Sequence, residues 1–253
     1  MDMARSLTAL QGLDNFCDSS NYNTFPCDMG VFDIVSVAVY GCVICGAMSV
    51  YLKLELDKYE RGNALMIKLS DSISKGSKSF LMTEYKYLTG FVSVVAVVLV
   101  IVFTVSSRRV DDTDGIRVAA CFISGAALSA LAGWIGMVVA TEANCKTTNA
   151  ADKLGLDAAL RVAFSAGSVM GFSVVGLGLF GVSVFFMLMN LGRSSDDISS
   201  ADSMIYPDNA VKAQWAAESL AGFGFGASAI ALFARVTGGI YTKAADVGAD
   251  LVG

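Results

Sequence analysis

Four charged side chains near the end of the sequence have residue types and a spacing that could bind a charged ligand. They are Arg235, Lys243, Asp246 and Asp250, and they follow directly on an uncharged apolar run. On an α-helix, which turns about 100° per residue, the last three lie roughly 80°, 20° and 60° round from Arg235. Two cations and two carboxylates therefore share one stripe. Charges this dense beside a bilayer are costly unless they meet a ligand, a metal or each other.

The mixture of charges on this stripe favours a metal-complexed phosphate. Mg²⁺ takes one or two carboxylates together with phosphate oxygens and water, and lysine is a frequent phosphate partner. The alternative is a juxtamembrane helix in which Lys243 pairs with Asp246 at i, i+3 and the charges are simply solvated. The spacing alone leaves both interpretations open. Small residues occupy much of the remaining helix surface, namely Gly238, Gly239, Ala244, Ala245, Gly248 and Ala249.

The composition indicates a membrane protein. Of 253 residues, 55% are hydrophobic and only 16% are charged, whereas soluble domains carry about a quarter charged residues. The apolar residues occur in blocks long enough to cross about 30 Å of hydrocarbon. We predict an all-α, polytopic transmembrane bundle of about five spans. The predicted spans are 34–52, 88–107, 118–141, 162–192 and 215–236, the last with a cytosolic helical extension to 253.

The distribution of lysine and arginine predicts the orientation. The segments before the first span, between the second and third, and between the fourth and fifth hold six of these residues, and the alternate set holds twelve. The positive-inside rule therefore places residues 1–33 in the lumen and the charged stripe in the cytosol. Residues 1–33 lack the basic start and apolar core of a signal peptide. The connection at 53–87 is predicted to be helical, as an extension of the neighbouring membrane helices.

Histidine is absent, and six residues are cysteine. Without histidine, a Ser–His or Cys–His catalytic pair is impossible within these residues. Cys42 and Cys45 have C-x-x-C spacing but lie in an apolar span, so we predict packing rather than redox chemistry. Whether Cys17 and Cys27 form a disulfide stays open.

Small residues recur at four-residue intervals in three predicted spans. This spacing lets helices approach closely and predicts a tightly packed bundle. The residues are Gly125, Ser129 and Gly133; Gly167 and Gly171; and Gly222 and Gly226. The pattern names no substrate, and a polytopic transporter or a structural membrane protein with a phosphate-like ligand site remains an alternative.

Residues 238–253, GGIYTKAADVGADLVG, resemble the signature of membrane-integral inorganic pyrophosphatases, the vacuolar-type proton pumps driven by pyrophosphate. Four further blocks resemble that family in the same order and at similar spacing: SFLMTEYKY (79–87), GWIGMVVATEANCKTT (133–148), GSVMGF (167–172) and GFGFGASAIALFARVTGG (222–239). The resemblance spans about residue 65 to the end.

This resemblance assigns roles to the stripe. It implies that Lys243 binds pyrophosphate, that Asp246 and Asp250 bind Mg²⁺, and that Arg235 couples hydrolysis to the ion pathway. The activity implied is H⁺-translocating inorganic diphosphatase, in which water attacks Mg-bound pyrophosphate. Mg²⁺ is the implied cofactor, and a K⁺ requirement stays open.

The resemblance also carries expectations about the whole protein. It implies a homodimer embedded in lipid, with no nucleic-acid partner, in an endomembrane such as a vacuole or an acidocalcisome-like compartment. The Lys-x-Glu step and later acidic clusters of the family do not occur in these residues. We therefore expect an N-terminal fragment of the pump that is inactive alone, with no complete catalytic set.

Overall fold

The computed structural model describes residues 31–106, 114–191 and 208–252. These segments contain five long α-helices and, within the described residues, no strand. The helices are α1 (Val31–Asp57), α2 (Ala64–Ser106), α3 (Asp114–Leu154), α4 (Leu156–Leu191) and α5 (Asp208–Val252). The expected all-α fold is confirmed.

Each of the five helices is long and apolar enough to cross a membrane. The chain is therefore a multi-pass membrane protein. Several helices are much longer than a bilayer requires: α2 has 43 residues, or about 65 Å at 1.5 Å per residue, against about 30 Å of hydrocarbon. The connection at 53–87 consists largely of the end of α1 and the beginning of α2, so its predicted helical character is confirmed.

The chain divides into two units, residues 1–38 and 39–253. Of the first unit the structure describes only residues 31–38, which form the beginning of α1. Cys17, Cys27 and nearly all of the predicted lumenal segment 1–33 lie outside the described residues.

Helix α3 is the centre of the second unit and packs against α2, α4 and α5. One buried apolar cluster joins the end of α1 to α3 and α4, around Leu56, Val139 and Val162. Another joins α2, α3 and α5 through Leu88, Ala126 and Ile230. These clusters fix the helices that carry the predicted stripe and its neighbours.

Helices α3 and α5 approach each other backbone to backbone. A Cβ atom added at Gly226 would collide with the carbonyl oxygen of Phe122, and one added at Gly125 would collide with that of Phe223. Ser129 Oγ also donates a hydrogen bond to the Ala227 carbonyl over 3.1 Å. Close packing at these small residues is confirmed. At Gly167 and Gly171 an added Cβ meets nothing within 4 Å, and Gly167 lines a cleft between α3 and α4, so the described residues do not show close packing there.

The C-x-x-C pair lies at a contact between α1 and α4. Cys42 Sγ donates to the Gly176 carbonyl over 3.3 Å. A Cβ added at the same glycine would lie 3.2 Å from the Cβ of Cys45. Both cysteines are free thiols. Both residues thus take part in the α1–α4 contact, as the packing interpretation predicts.

Candidate functional site

The four residues of the predicted stripe lie on one uninterrupted helix. Helix α5 runs from Asp208 to Val252 without a break, so the rotation of about 100° per residue holds from Arg235 to Asp250. All four side chains are exposed. We refer to Arg235, Lys243, Asp246 and Asp250 as the α5 stripe.

Within the stripe, Lys243 and Asp246 form an ion pair. Lys243 Nζ lies 3.4 Å from Asp246 Oδ2, and the two side chains are 83% and 65% exposed. An ion pair this exposed contributes little to stability. Lys243 can therefore exchange its carboxylate partner for a phosphate oxygen at small cost.

Asp246 and Asp250 are one helical turn apart on the same face of α5. Among the residues that the structure describes, no group of three or more Asp, Glu, Cys or His side chains could hold a metal ion. A complete cage of protein ligands is therefore not formed by these residues. Two neighbouring exposed carboxylates instead fit a Mg²⁺ ion that takes its other ligands from phosphate and water.

The surface around the stripe carries little side-chain bulk. A Cβ added at Gly238, Gly239 or Gly248 would meet nothing within 4 Å. From residue 231 to 251 every side chain is exposed except those of Thr237 and Tyr241, which are half-buried. The end of α5 thus presents its backbone and its charges to an open surface.

Arg235 also reaches a cleft formed by α2, α3, α4 and α5. The cleft has a volume of about 560 Å³, and its wall is mostly apolar. Glu84 of α2 lines the same cleft and is only 9% exposed. Thr237 Oγ1 donates a hydrogen bond to Glu84 Oε1 over 2.5 Å. A buried carboxylate and the arginine of the stripe therefore share one low-polarity space.

Our sequence reasoning did not identify Glu84 as a functional candidate. The residue lies within the block SFLMTEYKY, which carries part of the family resemblance. An ionisable residue inside a long apolar helix is by default a functional hypothesis. That signal was available in the sequence, but its pairing with Thr237 depends on the packing of α2 against α5.

A second group of charges, also missed, joins α1 to α3. Lys146 is 3% exposed and donates to Asp57 Oδ1 over 2.8 Å, to Glu142 Oε1 over 3.0 Å and to the Leu56 carbonyl over 3.1 Å. Lys53 Nζ lies 2.9 Å from Asp57 and 2.5 Å from Glu142. The two lysines and two carboxylates balance in charge. All three donors of Lys146 are used, so this cluster fixes the end of α1 rather than offering a site.

Fold and charge distribution together define a multi-pass helical membrane protein with a charged helix end. The chain belongs to the inorganic H⁺ pyrophosphatase family, whose family model matches residues 42–253. This match covers most of the chain and confirms the resemblance found in the sequence.

Individual relatives carry names of the same kind. The chain is 37% identical over 222 residues to a K(+)-insensitive pyrophosphate-energized proton pump of Caldanaerobacter subterraneus subsp. tengcongensis, covering 85% of the chain and 29% of the relative. It is 44% identical over 216 residues to a putative K(+)-stimulated pyrophosphate-energized sodium pump of Clostridium tetani, covering 85% and 27%. It is 33% identical over 220 residues to pyrophosphate-energized membrane proton pump 3 of Arabidopsis thaliana, covering 84% and 26%. The chain thus spans less than a third of the length of these relatives.

Proposed function

We propose that this chain is part of an ion pump that couples Mg²⁺-dependent hydrolysis of pyrophosphate to H⁺ transport. The observation that carries the proposal is the α5 stripe: two cations and two carboxylates on one open face of a long apolar helix. In a member of the inorganic H⁺ pyrophosphatase family, this combination suits a substrate that is both strongly anionic and metal-bound.

Each residue of the stripe has a role that follows from its chemistry. Lys243 contacts a pyrophosphate oxygen, because its partner among the described residues is an exposed carboxylate that it can release. Asp246 and Asp250 hold Mg²⁺. Bound there, Mg²⁺ supplies positive charge that offsets the negative charge of the phosphates.

Arg235 links the substrate end of α5 to the membrane. It lies eight residues before Lys243, or about 12 Å along the helix, and it lines the same cleft as Glu84. Arginine brings a positive charge to this cleft. It therefore responds to a change of charge at the substrate end and passes that change to groups in the cleft.

The hydrolytic function is tested with the full-length pump of which, by this proposal, these 253 residues form a part. We call it the complete protein. Membranes that contain it should release phosphate from pyrophosphate only when Mg²⁺ is present. Residues 1–253 expressed alone are the matched control and should release none, because two carboxylates cannot neutralise the charge of pyrophosphate. Absence of Mg²⁺-dependent hydrolysis by the complete protein contradicts the proposal.

The transported ion is tested in the same membranes. Sealed vesicles should acidify when pyrophosphate is added, and a protonophore should abolish the acidification. Among the relatives, some are named as proton pumps and others as sodium pumps, so ²²Na⁺ uptake is measured in parallel. Pyrophosphate-driven Na⁺ uptake without acidification overturns the assignment of H⁺ and leaves the hydrolytic function standing.

The location and orientation are part of the same proposal. We place the protein, as a lipid-embedded homodimer, in an endomembrane of vacuolar or acidocalcisome-like type, with residues 1–33 in the lumen. A tag before Met1 should then resist protease in sealed, cytosol-side-out vesicles. A tag inserted in the connection around residue 60 should be cleaved, and the reverse pattern contradicts the orientation.

A further inference from the structure

The distal part of α5 is held by very few contacts. Between residues 231 and 251 only Thr237 and Tyr241 are half-buried; both contact α2, as does the ring of Phe233, whose centroid lies 4.9 Å from that of Phe91. Thr237 Oγ1 donates to Glu84 Oε1 over 2.5 Å. The hydroxyls of Tyr241 and Ser77 share a hydrogen bond of 3.1 Å.

An aromatic contact reinforces these hydrogen bonds. The rings of Phe80 and Tyr241 lie 5.0 Å apart between centroids, in a tilted arrangement, which is a favourable geometry for aromatic pairs. Ser77, Phe80 and Glu84 are spaced by three and four residues and so occupy one face of α2. Thr237 and Tyr241, spaced by four, occupy one face of α5. We call these five residues the α2–α5 seam.

The seam lies opposite the charged stripe. Taking Arg235 as the origin, Thr237 and Tyr241 lie roughly 200° and 240° round the helix, whereas the stripe occupies about 0° to 80°. The centres of the two faces are therefore about half a turn apart. Contact with α2 through the seam turns Lys243, Asp246 and Asp250 away from α2, whereas Arg235, at the edge of the stripe, still lines the cleft that α2 helps to form.

The seam residues on α5 also lie close to the stripe residues along the helix axis. Thr237 stands two residues after Arg235, and Tyr241 stands two residues before Lys243. Each seam contact is thus adjacent, along the helix, to one functional group of the stripe. A slip of α5 by one residue along α2 would move both groups by about 1.5 Å and turn them by about 100°.

From this geometry we propose that the α2–α5 seam sets the rotation and axial register of α5, and that Glu84 and Ser77 are positioning residues for Arg235 and Lys243. The proposal rests on the function assigned above to the α5 stripe. Glu84 suits this role because it is buried and accepts from Thr237, and a carboxylate is a stronger acceptor than the carbonyls of Phe233 and Ala234 that also lie near that hydroxyl.

The register is tested first, without reference to activity. Benzoylphenylalanine is introduced at position 80 of the complete protein, and the products of photocrosslinking are mapped by mass spectrometry. The seam predicts crosslinks on α5 at Tyr241 and its immediate neighbours. Crosslinks centred one turn or more away, or absent from α5, overturn the proposal and leave the proposed hydrolysis and transport untouched.

The positioning role is tested with hydroxyl deletions that keep the side-chain shape. Thr237→Val should lower ion transport per pyrophosphate hydrolysed by about fivefold, the scale of one hydrogen bond, because it acts beside Arg235. Tyr241→Phe should raise the KM for Mg-pyrophosphate by a similar factor, because it acts beside Lys243. Glu84→Gln, which still accepts from Thr237, should lose less coupling than Glu84→Leu.

Two matched controls separate this role from a general loss of structure. Thr242 donates to the Gly239 carbonyl of its own helix and to no other group in the part of the chain that the structure describes. Thr242→Val should therefore leave both transport per hydrolysis and the KM unchanged. Tyr87 is 78% exposed, and Tyr87→Phe should likewise leave transport per hydrolysis and the KM unchanged. If Thr237→Val and Tyr241→Phe leave transport per hydrolysis and KM at the values of these controls, the positioning role is wrong, even where the crosslinks support the register.

Discussion

Lys146 on α3 and Asp57 at the end of α1 form an ion pair of 2.8 Å in which the lysine is almost entirely buried. Glu142, one turn before Lys146, accepts from the same ammonium group over 3.0 Å. Each of the three donors of the buried Lys146 ammonium has an acceptor. Loss of the lysine would therefore remove one hydrogen bond from each of those acceptors. This cluster therefore makes the α1–α3 contact sensitive to a single substitution.

Lys146→Met should destabilise the protein by about 1–3 kcal/mol, because it leaves two carboxylates with Lys53 as their remaining cation. We discount the larger cost of a fully buried pair, since Asp57 and Glu142 are 44% and 30% exposed. The measurement is the thermal unfolding midpoint of the detergent-solubilised chain.

The control for Lys146→Met is Lys153→Met. Lys153 pairs with Glu60 over 3.5 Å, and both side chains are mostly exposed, so its removal should change stability by less than about 0.5 kcal/mol. Equal midpoints for the two variants contradict a stabilising role for the buried cluster.

Gly226→Ala should force α3 and α5 apart. The added Cβ would meet the carbonyl oxygen of Phe122, which is backbone and cannot move aside as a flexible side chain can. We expect a loss of about 1–3 kcal/mol, the usual cost of overpacking, seen as a lower unfolding midpoint. Gly224→Ala on the same helix is the matched control, because its Cβ would meet nothing within 4 Å. A midpoint for Gly226→Ala at or above that of Gly224→Ala would show that the close approach is absent.

The fold was largely predictable because the apolar blocks are long and the bilayer sets their length. The same reasoning could not find the seam. Thr237 and Tyr241 have no distinctive sequence pattern. Their role comes from contact with residues of α2 that lie more than 150 residues earlier in the chain. The contacts of Lys146 could not be predicted for a similar reason, since two of its three partners, Leu56 and Asp57, lie on α1. Charges on one helix can be placed by arithmetic, whereas partners on different helices require the packing itself.

Asp246→Asn and Asp250→Asn in the complete protein should each reduce hydrolysis by about 100-fold or more at ordinary Mg²⁺, the scale of losing one electrostatic contact with the transition state. Raising the Mg²⁺ concentration should restore part of the activity, because a weakened metal site can be refilled by mass action. Phosphate release across a Mg²⁺ titration is the measurement. Asp152→Asn, on the exposed surface of α3, is the control. Normal turnover of Asp246→Asn at ordinary Mg²⁺ contradicts its role as a metal ligand.

Lys243→Ala should raise the KM for Mg-pyrophosphate by roughly 10- to 100-fold, the range expected for a lost hydrogen bond between charged groups. Lys243→Arg should retain part of the affinity, because the positive charge remains. Lys75→Ala removes another exposed lysine, on α2, and should leave the KM unchanged. The initial rate of phosphate release, measured over a series of substrate concentrations, distinguishes these outcomes. An unchanged KM for Lys243→Ala would remove Lys243 from the binding site.

Arg235→Ala should lower ion transport more than hydrolysis. Arg235 lies on the stripe but about two turns from Lys243, and it lines the cleft that contains the buried Glu84. Removing its charge therefore disturbs the groups between substrate and membrane more than it disturbs substrate binding. Vesicle acidification and phosphate release are measured in the same membranes, and Arg235→Lys, which keeps the charge, should restore part of the coupling. A purely structural arginine would instead reduce expression and both activities in proportion. Proportional loss in Arg235→Ala is thus the result that contradicts the coupling role, and a selective loss of acidification is the result we expect.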